Sequence, residues 1–484
     1  MLRACGDANG IACTGWVHMQ ACDLSGACDG ASASTAQGDY QPVSGNTLAG
    51  RTIQLHMDNR GLAWGSISGG AAGDEIWLDR SWDEGNTWTN GGSSLGRVSV
   101  PSGNMGTITV MFSTRDVLAL LYGGAVRACG RAVTGNDGAC TAFARPSSNH
   151  PAAGANALMW AYQPDTAWWL SSWWNSAATI TTLMDYMIKS GDRQYLWAVD
   201  RSFTVNKASF AAGVKSTDTI EGDFISRAND DALWWAVAWS TAYQLTSDSK
   251  YLNEATLISD RLNQYYDTST CGGGMWWSRE KTYKNAVTIG LWIKLNAKLH
   301  NQISGDTTYL NRGVTAWNWF KNSGLINSAG LVNDGLTNSC ANNDDVVWTY
   351  NQGLAIGGSL EVYRATNDAS ALALAQRLGD AAISSSVLTK SGVLTESCET
   401  GSCDDNAKQF KGIFMRYMQD LADTTGNSTY KNYITTQANS IWNNDRNTLN
   451  TFGVHWTGAD SSATPNVRDW RTQASALGAL VAAA

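Results

Sequence analysis

One turn signature returns at near-constant spacing from residue 191 onward: GDRQYL (191–196), SDSKYL (247–252), GDTTYL (305–310), NDASAL (367–372) and GNSTYK (426–431). Each copy follows one apolar helical stretch and precedes another, so each reads as the joint of a helix hairpin whose Asp, Asn or Ser caps the second helix. The spacing is about 55 to 60 residues, and apolar helices at 152–162 and 469–484 are left without partners. If those two ends meet, six helix pairs close into a toroid of inner and outer helices. An open solenoid would leave an apolar face exposed at each end, which favours closure. The pattern therefore predicts an all-α domain over 149–484, an (α/α)6 barrel.

The preceding segment has a different texture. TIQLHM, GLAWGSIS, EIWLDRSW, TWTN, RVSV and GTITVMFS are short, alternating and separated by Gly, Asn or Ser, the pattern of an all-β, sandwich-like module over 41–148. SWDEGNTW (81–88) resembles the Asp-box turn of sialidase hairpins and is read here as a structural turn. LRACGDANGIACTGW (2–16) returns loosely as VRACGRAVTGNDGACTAFAR (126–145), so residues 1–40 read as the remnant of an earlier copy plus a Ser/Ala/Gly linker.

Ten cysteines occur, several close in sequence: Cys5 and Cys13, Cys22 and Cys28, Cys129 and Cys140, Cys398 and Cys403. None has zinc-finger spacing, so short disulfide loops are expected, leaving Cys271 and Cys340 for a long-range pair. Disulfides imply an oxidising, secreted setting. The opening MLRACGDANG has no signal-peptide pattern, which leads us to expect that the true amino terminus is missing or was removed. No run of 18 apolar residues is present, so no membrane span is expected. A net charge of -8 and the lack of a basic run argue against a nucleic-acid partner.

The 23 Trp and 16 Tyr against 9 Phe fit partly wet aromatic surfaces, for which sugar rings are one natural partner and helical cores another. The inner helices would begin near SSWWNSA (171–177), NDDALWW (229–235), YKNAVT (283–288), WTYNQG (348–353), QFKGIF (409–414) and VRDWRT (467–472). In a toroid these starts share one end, so their polar and aromatic residues converge on a common cleft. Three Asp doublets compete for chemistry there: Asp230 with Asp231, Asp344 with Asp345, and Asp404 with Asp405. The first falls in the first turn of the second inner helix, where capping alone would account for a carboxylate. At a helix entrance both side chains can also face one cleft, and adjacent carboxyls fit the roughly 5–5.5 Å separation of a retaining glycosidase. The five histidines form no HExxH, and no GxSxG is set between strand and helix, so neither a metal site nor a Ser/His/Asp triad is expected. No cofactor is expected either.

Together, NDDALWWAVAW, CGGGMWWS followed by YKNAVT, WTYNQGLAIGGSLEVYRAT and FKGIFMRYM resemble glycoside hydrolase family 76, the endo-alpha-1,6-mannanases, over about 150–484. The resemblance implies retaining cleavage of alpha-1,6-mannan or a mannoprotein glycan, with Asp230 as nucleophile and Asp231 as acid/base. Substrate contacts would fall on Trp173, Trp174, Asn175, Trp234, Trp276, Trp277, Tyr350, Asn351 and Gln352, each aromatic being equally compatible with barrel packing. Lys284 and Lys411 would bind hydroxyls or pair with carboxylates. Wall-remodelling transglycosylation and silent mannan binding are the competing functions, and a secreted monomeric hydrolase is the expectation.

Overall fold

In the computed structural model, all five recurrent turns are built from the same two parts. Gly191, Ser247, Gly305, Asn367 and Gly426 adopt the left-handed conformation, with φ of 76°, 58°, 76°, 56° and 67°. The Asp or Asn that follows accepts the backbone N–H two residues further on, at 2.8–3.0 Å. The first residue turns the chain out of one helix and the second supports the start of the next. The structure describes residues 29–88, 92–114, 124–135, 137–170 and 172–484, with the backbone of the strands Cys5–Asp7 and Ile11–Cys13.

The chain divides into two units, 1–160 with 447–451 and 161–446 with 452–484. Helix α1 (His150–Met159) groups with the first unit.

In the first unit, β1 (Cys5–Asp7) and β2 (Ile11–Cys13) form a hairpin. β3 (Asn46–Leu48), β4 (Arg51–Met57) and β5 (Leu62–Ser68) start one antiparallel sheet, and β6 (Glu75–Ser81) and β7 (Leu95–Ser99) belong to another. β8 (Thr107–Ile108) and β9 (Phe112–Ser113) both pair with β5, while β10 (Ala125–Arg131) and β11 (Gly138–Cys140) complete the order β11-β10-β6-β7. Alternate residues of both sheets, among them Ile53, Leu55, Ile67, Ile76, Leu78 and Val126, make one buried core. Gly130 permits the close approach, since a Cβ there would sit 2.8 Å from Ile53 Cδ1. The repeated RACG and ACT segments have one register: Cys5 faces Cys13 as Cys129 faces Cys140. The Cys129–Cys140 disulfide is present, and the proposed Cys5–Cys13 and Cys22–Cys28 bridges lie outside the described residues. In SWDEGNTW, Ser81 and Asp83 gather the N–H groups of Gly85 and Thr87, which is turn chemistry.

The second unit is an alpha/alpha barrel built from α2 (Trp173–Ser190), α3 (Leu196–Asn206), α4 (Asn229–Thr246), α5 (Ser249–Leu262), α6 (Ala286–Gln302) and α7 (Thr308–Phe320). It continues through α8 (Thr349–Thr366), α9 (Ala369–Ser384), α10 (Phe410–Thr425), α11 (Ser428–Ser440) and α12 (Trp470–Ala482). α2, α4, α6, α8, α10 and α12 pack each against the next, and α12 packs back on α2. These six are buried on nearly every face, whereas α5, α7, α9 and α11 bury one stripe. α10 and α12 touch backbone to backbone, and a Cβ on Gly412 would lie 2.5 Å from Ser475 Cα. Beneath the start of α4, Trp235, Trp239, Phe203, Phe224 and Tyr251 form an aromatic core with centroids 4.9–5.8 Å apart. Each such pair adds about 0.5–1.5 kcal/mol beyond its buried area. Cys271–Cys340 and Cys398–Cys403 are bonded, as their positions led us to expect. Among the described residues no helix is long and apolar enough to cross a membrane.

Candidate active site

Asp230 and Asp231 occupy the first turn of α4, after an extended Ala228. The loop carrying Gly274–Met275 and the two following tryptophans is stitched to this helix start. Ala228 bridges Ser278, the Asn229 N–H donates to the Trp277 carbonyl at 2.7 Å, and Asn229 Nδ2 donates to the Trp276 carbonyl at 2.9 Å. Trp276 and Trp277, both half-buried, are thereby fixed beside the carboxylates.

The two carboxyls differ in their support. Asp230 accepts the Asp231 N–H at 3.0 Å and a hydrogen bond from the Trp277 side chain. Burial pushes Asp230 up to about 6, and those two donors with the nearby Arg227 guanidinium limit the rise. Asp231 is pushed well above the carboxylate range by burial, then by the charge of Asp230 and of Asp218, against Arg227 alone. The two carboxyls act on one another, and the stronger upward push falls on Asp231. Arg227 is itself held by Asp218 and Glu280, each at 3.0 Å, and lies 5.4 Å from the Trp277 ring centre.

An arc of stacked rings crosses the neighbouring helix starts. Trp174 of α2 stacks on Trp234 of α4 at 5.4 Å, Trp234 on Tyr350 of α8 at 6.5 Å, and Tyr350 on Phe410 of α10 at 3.8 Å. The expected convergence of inner-helix starts is therefore present at four of them. Trp173 faces the other way, packed against Phe210, Phe224 and Trp235 in the core and 2% exposed. Asn175 donates to Gln409 Oε1 at 2.7 Å, tying α2 to the approach to α10. Gln352 is spent on backbone groups of Val332 and Trp348. Asn351 is buried with neither side-chain amide atom hydrogen-bonded, the state of a group awaiting a ligand or water.

Asp334, which sequence reading missed, also belongs here. It accepts a hydrogen bond from the Tyr283 hydroxyl, which in turn accepts from Asn343 Nδ2 at 3.1 Å. The Tyr350 hydroxyl is pushed well up by burial, then by Asp334 and Asp230, so both carboxylates lie near it. Asp334 sits in LVNDGL, a loop without a doublet or a helix start to mark it.

The other doublets do structural work. Asp404 caps the turn at Asn406 and Ala407, while Asp405 pairs with Lys408 at 2.7 Å and Arg471 at 3.0 Å. Asp344 and Asp345 are exposed on the loop before α8, with Asp345 adding negative charge around Asp334 and Tyr283. Lys284 and Lys411 both pair with carboxylates, Asp267 at 2.8 Å and Glu399 at 2.6 Å.

Residues 151–484 match the sequence profile of glycosyl hydrolase family 76. The chain belongs to that family. Among its relatives, mannan endo-1,6-alpha-mannosidase DCW1 of Saccharomyces cerevisiae is 25% identical over 51% of this chain and 57% of that protein. Mannan endo-1,6-alpha-mannosidase DFG5 of Candida albicans is 22% identical over 50% and 57%. The chain thus spans less than two thirds of the length of these curated relatives. An inactive double aspartate-to-alanine variant of the family 76 alpha-1,6-mannanase of Salegentibacter sp., solved with alpha-1,6-mannotetrose, superposes with a TM-score of 0.60. It is 22% identical and covers 69% of this chain and 97% of its own. Dfg5 of Chaetomium thermophilum, solved with glucosamine, has a TM-score of 0.57 at 19% identity, covering 70% and 90%. The shared fold of this family 76 chain is the alpha/alpha barrel.

Proposed function

We propose that this protein is a secreted, monomeric, endo-acting hydrolase of alpha-1,6-mannosidic bonds in mannan backbones, working with retention through a covalent mannosyl-enzyme intermediate. The single observation that carries the reading is the unequal pair at the start of α4. An ionised Asp230 beside a protonated Asp231, on a rim of stacked rings, is the combination that glycoside cleavage requires.

In the first step Asp230 attacks the anomeric carbon while Asp231 gives its proton to the leaving glycosidic oxygen. The bond to the aglycone breaks as the ester to Asp230 forms. In the second step Asp231, now a carboxylate, takes a proton from water; the water oxygen attacks the anomeric carbon and Asp230 departs as an anion. Trp174, Trp276 and Trp277, each half-buried, offer ring faces or edges to sugar rings, the buried Trp234 and Tyr350 back them, and Asn351 offers an unspent amide. Trp173, Asn175 and Gln352 serve by holding the helix starts in place. Six inner helices closing through α12 on α2 support the (α/α)6 count over 149–484, and residues 41–148 form an accessory β module after a remnant at 1–40.

The relatives' names and the aspartate lesion in the inactive bacterial variant support the substrate class. The test is product analysis on unbranched alpha-1,6-mannan. Release of short oligosaccharides by the wild type, lost in Asp230→Asn and Asp231→Asn, is the expected result. Elongated products under acceptor excess would replace hydrolysis by transglycosylation, and affinity without products would leave a binding protein.

A further inference from the structure

The C-terminal halves of five inner helices enclose a second polar cavity, of about 460 Å³. Its walls include Thr241 of α4, Lys294 and Lys298 of α6, Glu361 of α8, and Arg416 and Tyr417 of α10. Thr241 follows Asp230 by eleven residues along α4, about 16 Å at 1.5 Å per residue, so this cavity is separate from the carboxylate rim.

The charge in this cavity does not balance. Five cations line it, Lys189, Lys294, Lys298, Arg364 and Arg416, against four carboxylates, Asp185, Glu361, Asp420 and Asp423. Every carboxylate is taken. Lys294 holds Glu361 at 2.7 Å, Arg364 holds Asp420, Arg416 holds Asp185, and Lys189 reaches Asp423 at 4.0 Å. Lys298 is left over: its ammonium donates to Thr241 Oγ1 at 3.1 Å, and among the described residues no carboxylate lies within ion-pair distance. Burial and the neighbouring Lys294 push it down to about 8, against the more distant charges of Glu361, Asp185 and Asp420. Two more groups face the cavity: the Arg416 guanidinium lies against the Tyr417 hydroxyl, and beyond that contact Arg416 Nη1 and the hydroxyl of Tyr417, a residue 1% exposed, form no hydrogen bond. Among the described residues of this wall, the acceptor left without a hydrogen bond is Gln302 Oε1.

A surplus cation with buried, unsatisfied donors is a costly arrangement without a partner, and an anion rich in acceptors resolves all of it together. We propose that the cavity binds a small tetrahedral oxyanion, phosphate or sulfate, free or carried on a sugar, with Lys298 as counter-ion and Arg416 Nη1 and the Tyr417 hydroxyl as donors. The Gln302 carbonyl then accepts from a protonated oxyanion oxygen or a sugar hydroxyl. Exposed Lys189 and Asp423 on the wall leave a route for entry from solvent.

Calorimetric titration of the full chain with inorganic phosphate, at fixed ionic strength, tests this. One saturable site is expected, weakened at least tenfold in Lys298→Met and about threefold in Tyr417→Phe. Asp230→Asn should bind phosphate as the wild type does. Mannose 6-phosphate binding tighter than phosphate, with mannose inert, would assign the anion to a sugar carrier; equal binding would assign it to the free ion. Absence of a saturable site in the wild type overturns the proposal. So does Lys298→Met binding within twofold of wild type, or loss of binding in Asp230→Asn. If Lys298→Met does not fold, unchanged affinity in Tyr417→Phe overturns it equally.

Discussion

Glu361, buried, and Asp230, half-buried, are both carboxylates on inner helices of the same barrel, and they are driven in opposite directions. Burial alone would raise Glu361, but Lys294, Arg364 and Lys298 outweigh it and hold it down to about 2. Burial raises Asp230 to about 6, because its neighbours supply only an amide N–H, an indole and an Arg227 that Asp218 and Glu280 already engage. Glu361 has a cation at contact distance, Lys294 at 2.7 Å, and the Asp230–Asp231 pair has none. The difference between these two acids follows the cations in contact with each.

The largest expected effect bears on the Asp230–Asp231 pair. Asp231→Asn should lower turnover of alpha-1,6-mannan by about 10²–10⁴-fold, the usual contribution of a general acid, and Asp230→Asn by at least as much. Asp344→Asn and Asp405→Asn should leave turnover within a few-fold of wild type. Next comes Glu361. Lys294→Met removes the nearest cation from Glu361 but leaves Arg364 at 3.5 Å, and should destabilise the chain by about 1.5–3 kcal/mol in denaturant unfolding, whereas Lys294→Met with Glu361→Leu should recover most of that loss.

Trp277→Phe sharpens the comparison by removing one donor from Asp230. A hydrogen bond to a charged group contributes about 1.5–3 kcal/mol, so the acid limb of the pH–rate profile should move upward and turnover at pH 6 fall by roughly tenfold. The smallest effect is on stability. Because Asp230 titrates near 6 when folded and near 4 when unfolded, its contribution is favourable below about pH 4 and is lost as pH rises through about 6. Asp230→Asn lacks that loss, and its unfolding free energy above pH 7 should exceed the wild type's by on the order of 1–2 kcal/mol, after allowance for partial solvent screening.

Much of this was legible in the chain because it rests on local chemistry. The five turn motifs name their own left-handed residue and cap, so the hairpins and their order followed from spacing alone. The Asp230–Asp231 doublet became readable through its place at a helix start beside tryptophans. Roles that depend on distant partners were not legible. Gln352 and Asn175 look like substrate amides in sequence, yet their partners Val332 and Gln409 come from other turns of the barrel. Trp173 and Trp174 are adjacent, and helical geometry sends one into the core and the other to the rim. Asp334 carries no local mark, because Tyr283, 51 residues away, is what makes it part of the site.

The most direct measurement follows the anomeric configuration of newly released reducing ends by NMR during the first minutes on unbranched alpha-1,6-mannan. The unequal pair acting by two displacements at one carbon predicts that the alpha anomer appears first and the beta anomer only by later mutarotation. First appearance of the beta anomer would contradict the account, since it would require a single displacement by water and a base other than Asp230.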